Sequence, residues 1–498
     1  MPSALEQLRE RLSRISDLQT ASAILEWDQE TQMPDAGTEA RSRQVSTISQ
    51  FAHELHTSEE TGTLLEKAEP ESEVDRDLLR VARRDYEQAV RIPAELVGEF
   101  ARVTGMAREG WKTARETDNF SVFQPHLEAV IDCNLRKAEA LGYQDEPYDA
   151  LLDEFEPGMR TSEVSDVFSS LRKELVSLVG EIARRPEIDD SILSRYFPED
   201  RQWDLGVRVM TDLGYDFARG RQDHSAHPFS TTFSVTDSRL TTRVHSHQFS
   251  PAFFGSLHEA GHAMYEQGVN PALDGSPLCD GTSLGMHESQ SRLWENLVGR
   301  SRPFWDRYFP VVQGMFPAAL AGVSAEAFYG AVNSVKPSLV RIEADEVTYN
   351  LHIMVRFELE RAMLSGEVGA ADLPDAWNAR MMEYLGVAPE TDADGCLQDI
   401  HWSLGTFGYF PTYSLGNLMS AQLWEAMERD CGSLGEHIAE GRFDVILGWL
   451  RENVHQHGRR KTAIQILEDS TGSGLDAAPW LRYARKKFGA LYGGLAPA

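Results

Sequence analysis

"SLHEAGHAMYEQG" (residues 256–268) is the stretch on which the reading of this chain turns. Small or apolar residues recur at Leu257, Ala260, Gly261, Met264 and Tyr265, the three- and four-residue steps of a packed helix. Gly268 supplies a stop. One helical turn takes about 3.6 residues, so His258 and His262 share a face and aim their imidazoles at one point. Two imidazoles at that spacing can hold a tetrahedral zinc ion. Glu259 lies roughly a quarter turn away, poorly placed as a third ligand but able to reach a water at the metal. Two ligands plus a general base is the division of labour in His-Glu-x-x-His hydrolases. The same letters also arise by chance on ordinary packed helices, so the flanks carry weight. Gly255 and Gly261 each cost about 1 kcal/mol against Ala in a helix, which points to close approach of another backbone or a ligand.

The chain has 498 residues, 41% of them apolar, with 10 Trp, 22 Phe and 14 Tyr, enough for a large core. The 48 basic and 78 acidic residues give a net charge of −30. That opposes nucleic-acid binding and attraction to an anionic membrane. Cys133, Cys279, Cys396 and Cys431 are scattered, with no Cys-x-x-Cys pair, so neither a disulfide framework nor a cysteine metal knot is expected. The start, "MPSALEQLRERLSRISDLQ", is charged and amphipathic rather than an apolar signal segment. No run approaches about 18 apolar residues, so no membrane span is expected, and a cytoplasmic protein is the default.

Helical periodicity dominates, as in residues 4–25, 127–142, 164–185, 346–364 and 443–458. Residues 229–250, "FSTTFSVTDSRLTTRVHSHQFS", alternate by two instead and read as a β-hairpin or small sheet with its turn at Asp237-Ser238. A strand beside the histidine helix could offer an edge to an extended peptide. The acidic stretches "EKAEPESEVDRD" (66–77) and "DEPYDALLDEFEPG" (145–158) read as solvated turns. With no long linker, repeat or low-complexity block, residues 1–498 are expected to form one large, mainly α domain with two lobes around a cleft.

A catalytic zinc ion usually takes three protein ligands. Downstream, "HESQSRLWENLVG" (287–299) looks helical and offers Glu288 and, two turns on, Glu295. Glu288 is preferred. A first-turn carboxylate at Glu288 is equally explained by the helix dipole, so spacing alone leaves the matter even.

Several ordered motifs then become recognisable. They are "WDQETQMP" (27–34), "HPF" (227–229), "DSRLT" (237–241), "HEAGH" (258–262), "HESQ" (287–290), "VRIEAD" (340–345) and "GCLQDIHW" (395–402). Together they resemble the carboxypeptidase Taq family of zinc metallocarboxypeptidases over nearly the whole chain. One departure is Val340, where the family usually has Ile or Asn. The resemblance implies a mostly helical, gluzincin-like domain with a deep groove and a small β-sheet near the zinc. It implies release of C-terminal residues from peptides with broad specificity, a homodimer, and one Zn²⁺ per chain that Co²⁺ can replace. It also implies His258, His262 and Glu288 as ligands and Glu259 as base, which settles Glu288 over Glu295 by analogy.

The other motifs have a physical reading. A terminal carboxylate suits arginine, whose planar fork donates two parallel hydrogen bonds. Arg341 is the candidate, with Gln398 and Asp399 nearby in the motif order; an ion pair with Glu343, Asp345 or another acid is the plain alternative. An oxyanion needs a donor besides the metal. His401 and Tyr409 are candidates, on a Gly- and aromatic-rich stretch that reads as a pocket-lining loop. Otherwise His401 is a structural histidine held by Asp399, and Tyr409 a core residue. Asp237 and Arg239 would sit on a strand edge; the resemblance implies that their motif, Thr241 included, lines the substrate groove and that Arg239 limits peptide length, while Asp237 could equally just form the turn. The rival readings are an endo-acting zinc oligopeptidase and a non-enzymatic helical scaffold.

Overall fold

The computed structural model describes residues 2–495. Among these, 20 α-helices and three short strands follow one another, so the chain is mainly α with a small sheet. The first helix, Ala4–Thr31, is set by a capping box: the Ser3 hydroxyl accepts from Glu6 N, and the Glu6 carboxylate accepts from Ser3 N. Its stripe Leu5, Leu8, Leu12 and Ile15 is buried. The Phe120–Leu141 helix ends where Gly142 takes a φ of 82°, and Tyr349–Ser365 ends at Gly366 with 78°.

Two apolar clusters organise these helices. The larger includes Leu257, Ala260 and Met264 of the histidine helix, together with Trp294, Trp305 and Trp377. The smaller joins Leu5, Leu8, Leu12 and Ile15 to Leu64, Leu78 and Leu79, and to Val235, Val269 and Leu278 from the main body. Between N-terminal helices and body lies a cleft of about 720 Å³. Glu26, His53 and Asp85 line one wall, and Asp280, Thr282, His287 and Arg459 the other. No helix among the described residues is long and apolar enough to cross a membrane.

The strands are β1 (Gln222–His224), β2 (Ser230–Ser234) and β3 (Asp237–Thr242), in the order β1-β3-β2. β3 runs parallel to β1 and antiparallel to β2, with Thr231 opposite Arg239. This corrects the sequence reading in three ways. The reversal falls at Val235-Thr236, because Val235 turns inward into the smaller cluster, and Asp237 and Ser238 belong to β3. β3 is central, so Asp237, Arg239 and Thr241 are not on a strand edge. Residues beyond Thr242 leave the sheet before the Phe249–Gln267 helix begins. The sheet packs directly on that helix: Ser256 Oγ donates to Thr242 Oγ1 at 3.1 Å.

The acidic stretches also differ from expectation. Pro147–Asp153 is a short helix whose Tyr148, Ala150, Leu151 and Leu152 are buried. The acids of this stretch bond inward, Asp149 accepting from Thr161 N at 2.9 Å and Glu156 from Gly285 N at 2.9 Å. In the other stretch, Asp75 is buried and paired with Arg9. Satisfied acids inside a fold look the same in sequence as solvated ones.

Candidate active site

The Phe249–Gln267 helix carries His258, Glu259 and His262. The Leu284–Arg292 helix, capped by Ser283, carries Glu288. Glu288 Oε2 lies 3.5 Å from His258 Nε2 and 3.4 Å from His262 Nε2. A tetrahedral ion with bonds of about 2.0–2.1 Å sets its donor atoms about 3.3–3.4 Å apart. Glu288 Oε2 therefore stands from each imidazole at about the separation such an ion requires. Among the described residues, these three form the His/Cys/Asp/Glu group whose ligand atoms all fall within 4.8 Å of one another.

Close helix contact makes this possible. A Cβ at Gly261 would lie 2.6 Å from Ser291 Cα and 2.7 Å from Gln290 O. One at Gly416, on the Pro411–Cys431 helix, would lie 2.6 Å from Glu288 Cγ. The Glu288 helix is thus wedged between two helices that yield room for it only as glycine. Gly261 meets the expectation of close backbone approach. Gly255 does not: its nearest neighbour is Pro228 Cγ at 4.0 Å.

Each donor is held from behind. Arg292 Nε donates to Glu288 Oε1 at 2.7 Å, so Oε2 is the oxygen turned to the histidines, with Ser291 Oγ 3.1 Å from it. After Arg292 the helix widens into a π-helical segment, Leu293–Val298, which carries Glu295. Glu295 Oε2 accepts from His258 Nδ1 at 3.0 Å, and Glu295 is itself held by Arg292 and Arg300. With the His262 Nε2 lone pair turned to a metal, its Nδ1–H donates to His287 Nδ1 at 2.6 Å. His287 Nε2–H then donates to Glu266 Oε1 at 2.8 Å. These outer partners fix tautomer and ring orientation. Glu295→Gln removes the charge behind His258; metal affinity is expected to fall about 10–100-fold, read by competition with a chelator.

The charges follow from these contacts. Burial pushes the Glu259 carboxyl up to about 7, His258 pulling it down and Glu288 up. Burial lowers His262 to about 3. Burial alone would depress His258 too, but Glu288 and Glu295 hold it above its ordinary value. Burial opposes the Glu288 charge, yet Arg292 and both histidines hold that carboxyl well below the usual range.

Arg341, Gln398 and Asp399 come together as one cluster around the buried Arg341. Arg341 Nε and Nη2 donate to Asp399 Oδ1 at 3.0 and 2.7 Å, and Nη1 to Tyr349 Oη at 3.1 Å. Asp399 also accepts from Arg356 at 2.6 Å. Gln398 Oε1 accepts from Arg341 N and Arg356 Nη2. The ion pair expected as the plain alternative for Arg341 is present, and the acid is Asp399 rather than Glu343 or Asp345. Tyr349 links the two centres, because Arg292 stacks 4.4 Å from its ring.

His401 stands against Phe410 and Tyr409, with ring centroids 4.5 and 5.3 Å away. Its Nδ1 is 3.8 Å from Asp399 Oδ1, beyond hydrogen-bond reach, and burial lowers its pKa to about 4. Tyr409 meets Tyr413 and Phe155 edge to face at 5.3 Å each. Its phenol is raised by burial first, Tyr413 opposing this and the Glu288 charge adding to it.

On β3, Arg239 makes a two-point pair with Asp237, 2.7 Å on each arm, and stacks on Phe233 at 4.8 Å and Trp27 at 5.9 Å. Thr241 is fully buried; its Oγ1 accepts from Phe229 N and Ser225 Oγ. Sequence reading missed Glu266, His287, Arg292, Tyr349 and Tyr413 as site residues. His287 was visible as the first letter of "HESQ", but its contact with His262 depends on helix packing.

A helical fold with two histidines one turn apart, a carboxylate from a neighbouring helix and a glutamate beside the first histidine defines a metal-dependent peptidase. Known proteins agree. The family model described as carboxypeptidase Taq (M32) metallopeptidase matches residues 7–488. Thermostable carboxypeptidase 1 of Thermus thermophilus is 43% identical, the match covering 99% of each chain. Carboxypeptidase 1 of Bacillus subtilis is 40% identical, covering 97% of each. The crystal structure of the M32 carboxypeptidase from Deinococcus radiodurans superposes with a TM-score of 0.97 at 44% identity, covering 99% of this chain and 100% of that one. The chain belongs to the carboxypeptidase Taq (M32) family of metallopeptidases.

Proposed function

We propose that this protein is a zinc carboxypeptidase that removes C-terminal residues from peptides with broad specificity. The observation that carries the reading is that Glu288 Oε2 stands 3.5 Å from His258 Nε2 and 3.4 Å from His262 Nε2, close to tetrahedral ligand spacing, beside Glu259. These three residues would hold one Zn²⁺, or Co²⁺ in its place. When bound, such an ion polarises the scissile carbonyl and makes water acidic enough to attack near neutral pH.

The chain's own groups do the rest. Glu259 takes a proton from the attacking water on its carboxylate and delivers it to the leaving amine. His401 is neutral at working pH, and Tyr409 keeps its proton, so either can donate to the developing oxyanion. Arg341 carries five donor hydrogens, of which three are used on Asp399 and Tyr349. One remains on each terminal nitrogen for a substrate carboxylate. Gln398 and Asp399 hold that fork in place. Asp237 and Arg239 border the groove, and Thr241 acts by fixing the strand that carries them. The reading takes residues 1–498 as one domain; its homodimer is carried by the family resemblance, and its cytoplasmic setting by the charged, amphipathic start and the lack of a long apolar run.

A peptide and its C-terminally amidated twin test the assignment. Losing the partner of a charge-assisted pair costs about 2–5 kcal/mol, so the amide should be cleaved at least about 30-fold more slowly. Equal cleavage would replace the reading with an endo-acting oligopeptidase.

A further inference from the structure

Glu360 lies outside every motif and is fully buried on the Tyr349–Ser365 helix. It makes no ion pair among the described residues; Asp399 takes up the nearby Arg356. A carboxylate buried without a cation is costly unless donors surround it. Three do. Glu360 Oε1 accepts from Trp402 Nε1 at 2.9 Å, and Oε2 from Gly408 N at 3.1 Å and Tyr148 Oη at 2.7 Å.

The placement of those donors is the informative part. Trp402 directly follows His401, and Gly408 directly precedes Tyr409. One carboxylate therefore grips the loop at both ends, next to each candidate oxyanion donor. The third donor, Tyr148, comes from the buried Pro147–Asp153 helix. The Gly408 backbone lies against Leu151 of that same helix, where a Cβ would stand 2.6 Å from Leu151 O. Within the loop, Thr406 N and Oγ1 both donate to His401 O. The loop is thus pinned between two helices, with Glu360 as the pin.

We infer that Glu360 is a positioning residue: by holding Trp402 and Gly408 it sets where His401 and Tyr409 present their donors to the reacting carbonyl. This rests on the reading of His401 and Tyr409 as oxyanion donors. Misplacing such a group by about 1 Å can cost up to about 10²-fold in rate.

The test uses Glu360→Gln in the full-length, metal-loaded protein. Its amide nitrogen cannot accept, so at least one grip on the loop is lost while shape is kept. We expect kcat to fall about 10–100-fold, with KM and metal content within about twofold of the parent. In a Tyr409→Phe, His401→Ala background the same change should lower kcat by less than about twofold, because its route of action is already gone. A full effect in that background overturns the inference, as does an unchanged kcat for Glu360→Gln alone. If the Tyr409→Phe, His401→Ala protein itself keeps parental kcat, the donor reading falls and the inference with it. Tyr148→Phe, which removes one donor and leaves two, is the gentler companion should Glu360→Gln fold poorly. It should lower kcat about two- to tenfold and show the same dependence on the donor pair; a parental kcat or an independent effect overturns the inference.

Discussion

Glu259→Gln keeps its metal and loses about 10²–10⁴-fold in kcat, the contribution expected of a positioned general base. The amide has the shape of the carboxylate but cannot take a proton from water. His258, His262 and Glu288 are untouched, and their outer partners Glu295, His287 and Arg292 lie on other contacts. Burial raises the Glu259 carboxyl to about 7, and a bound dication adds a downward pull. The dication favours the charged form of the base, while burial keeps it basic enough to act. The measurement is metal content and steady-state kinetics on the same preparation. Parental kcat in the variant would remove Glu259 from the chemistry.

Gly261→Ala should act in the opposite manner, losing metal and activity together although no functional group is changed. The new methyl meets backbone, Ser291 Cα at 2.6 Å and Gln290 O at 2.7 Å, not the end of a flexible side chain. The Leu284–Arg292 helix must move away, and Glu288 moves with it. Gly416 closes the other side, where Glu288 Cγ is already at the limit, so the shift has nowhere easy to go. Overpacking of this kind costs about 1–3 kcal/mol of stability. Metal affinity should fall more than about tenfold, because a metal site tolerates displacements of only about 0.2 Å in its bonds. Chelator competition and thermal unfolding with and without metal read both effects. Unchanged affinity would show that the helix pair is looser than its packing implies.

The contrast between these variants mirrors what the sequence could and could not tell. His258, Glu259 and His262 lie within one turn, so helical geometry alone places them, and Gly261 announced its close contact. Glu288 is 26 residues beyond His262 in the chain, and spacing could not separate it from Glu295. The packed helices do: Glu288 Oε2 faces both Nε2 atoms, while the π-helical segment carries Glu295 behind His258, onto Nδ1. A widened turn has no signature in apolar periodicity. The long helices were legible because each buries a continuous stripe. Pro147–Asp153 was not, because seven residues hold too little periodicity and the acids in and after it, Asp149 and Glu156, accept from backbone N–H groups of later segments. In the sheet, alternation located β2 and β3, but a polar pair was a poor guide to the reversal once Val235 turned inward. β1 has three residues, and its parallel partner lies across the chain reversal, so local pattern could not reveal it.

Anomalous diffraction at the zinc edge, on crystals of metal-loaded protein, locates the ion outright. One strong peak per chain is expected, about 2.0–2.2 Å from His258 Nε2, His262 Nε2 and Glu288 Oε2 together. A peak elsewhere, or ligation through Glu295 or His287 with Glu288 turned away, would contradict that ligand set.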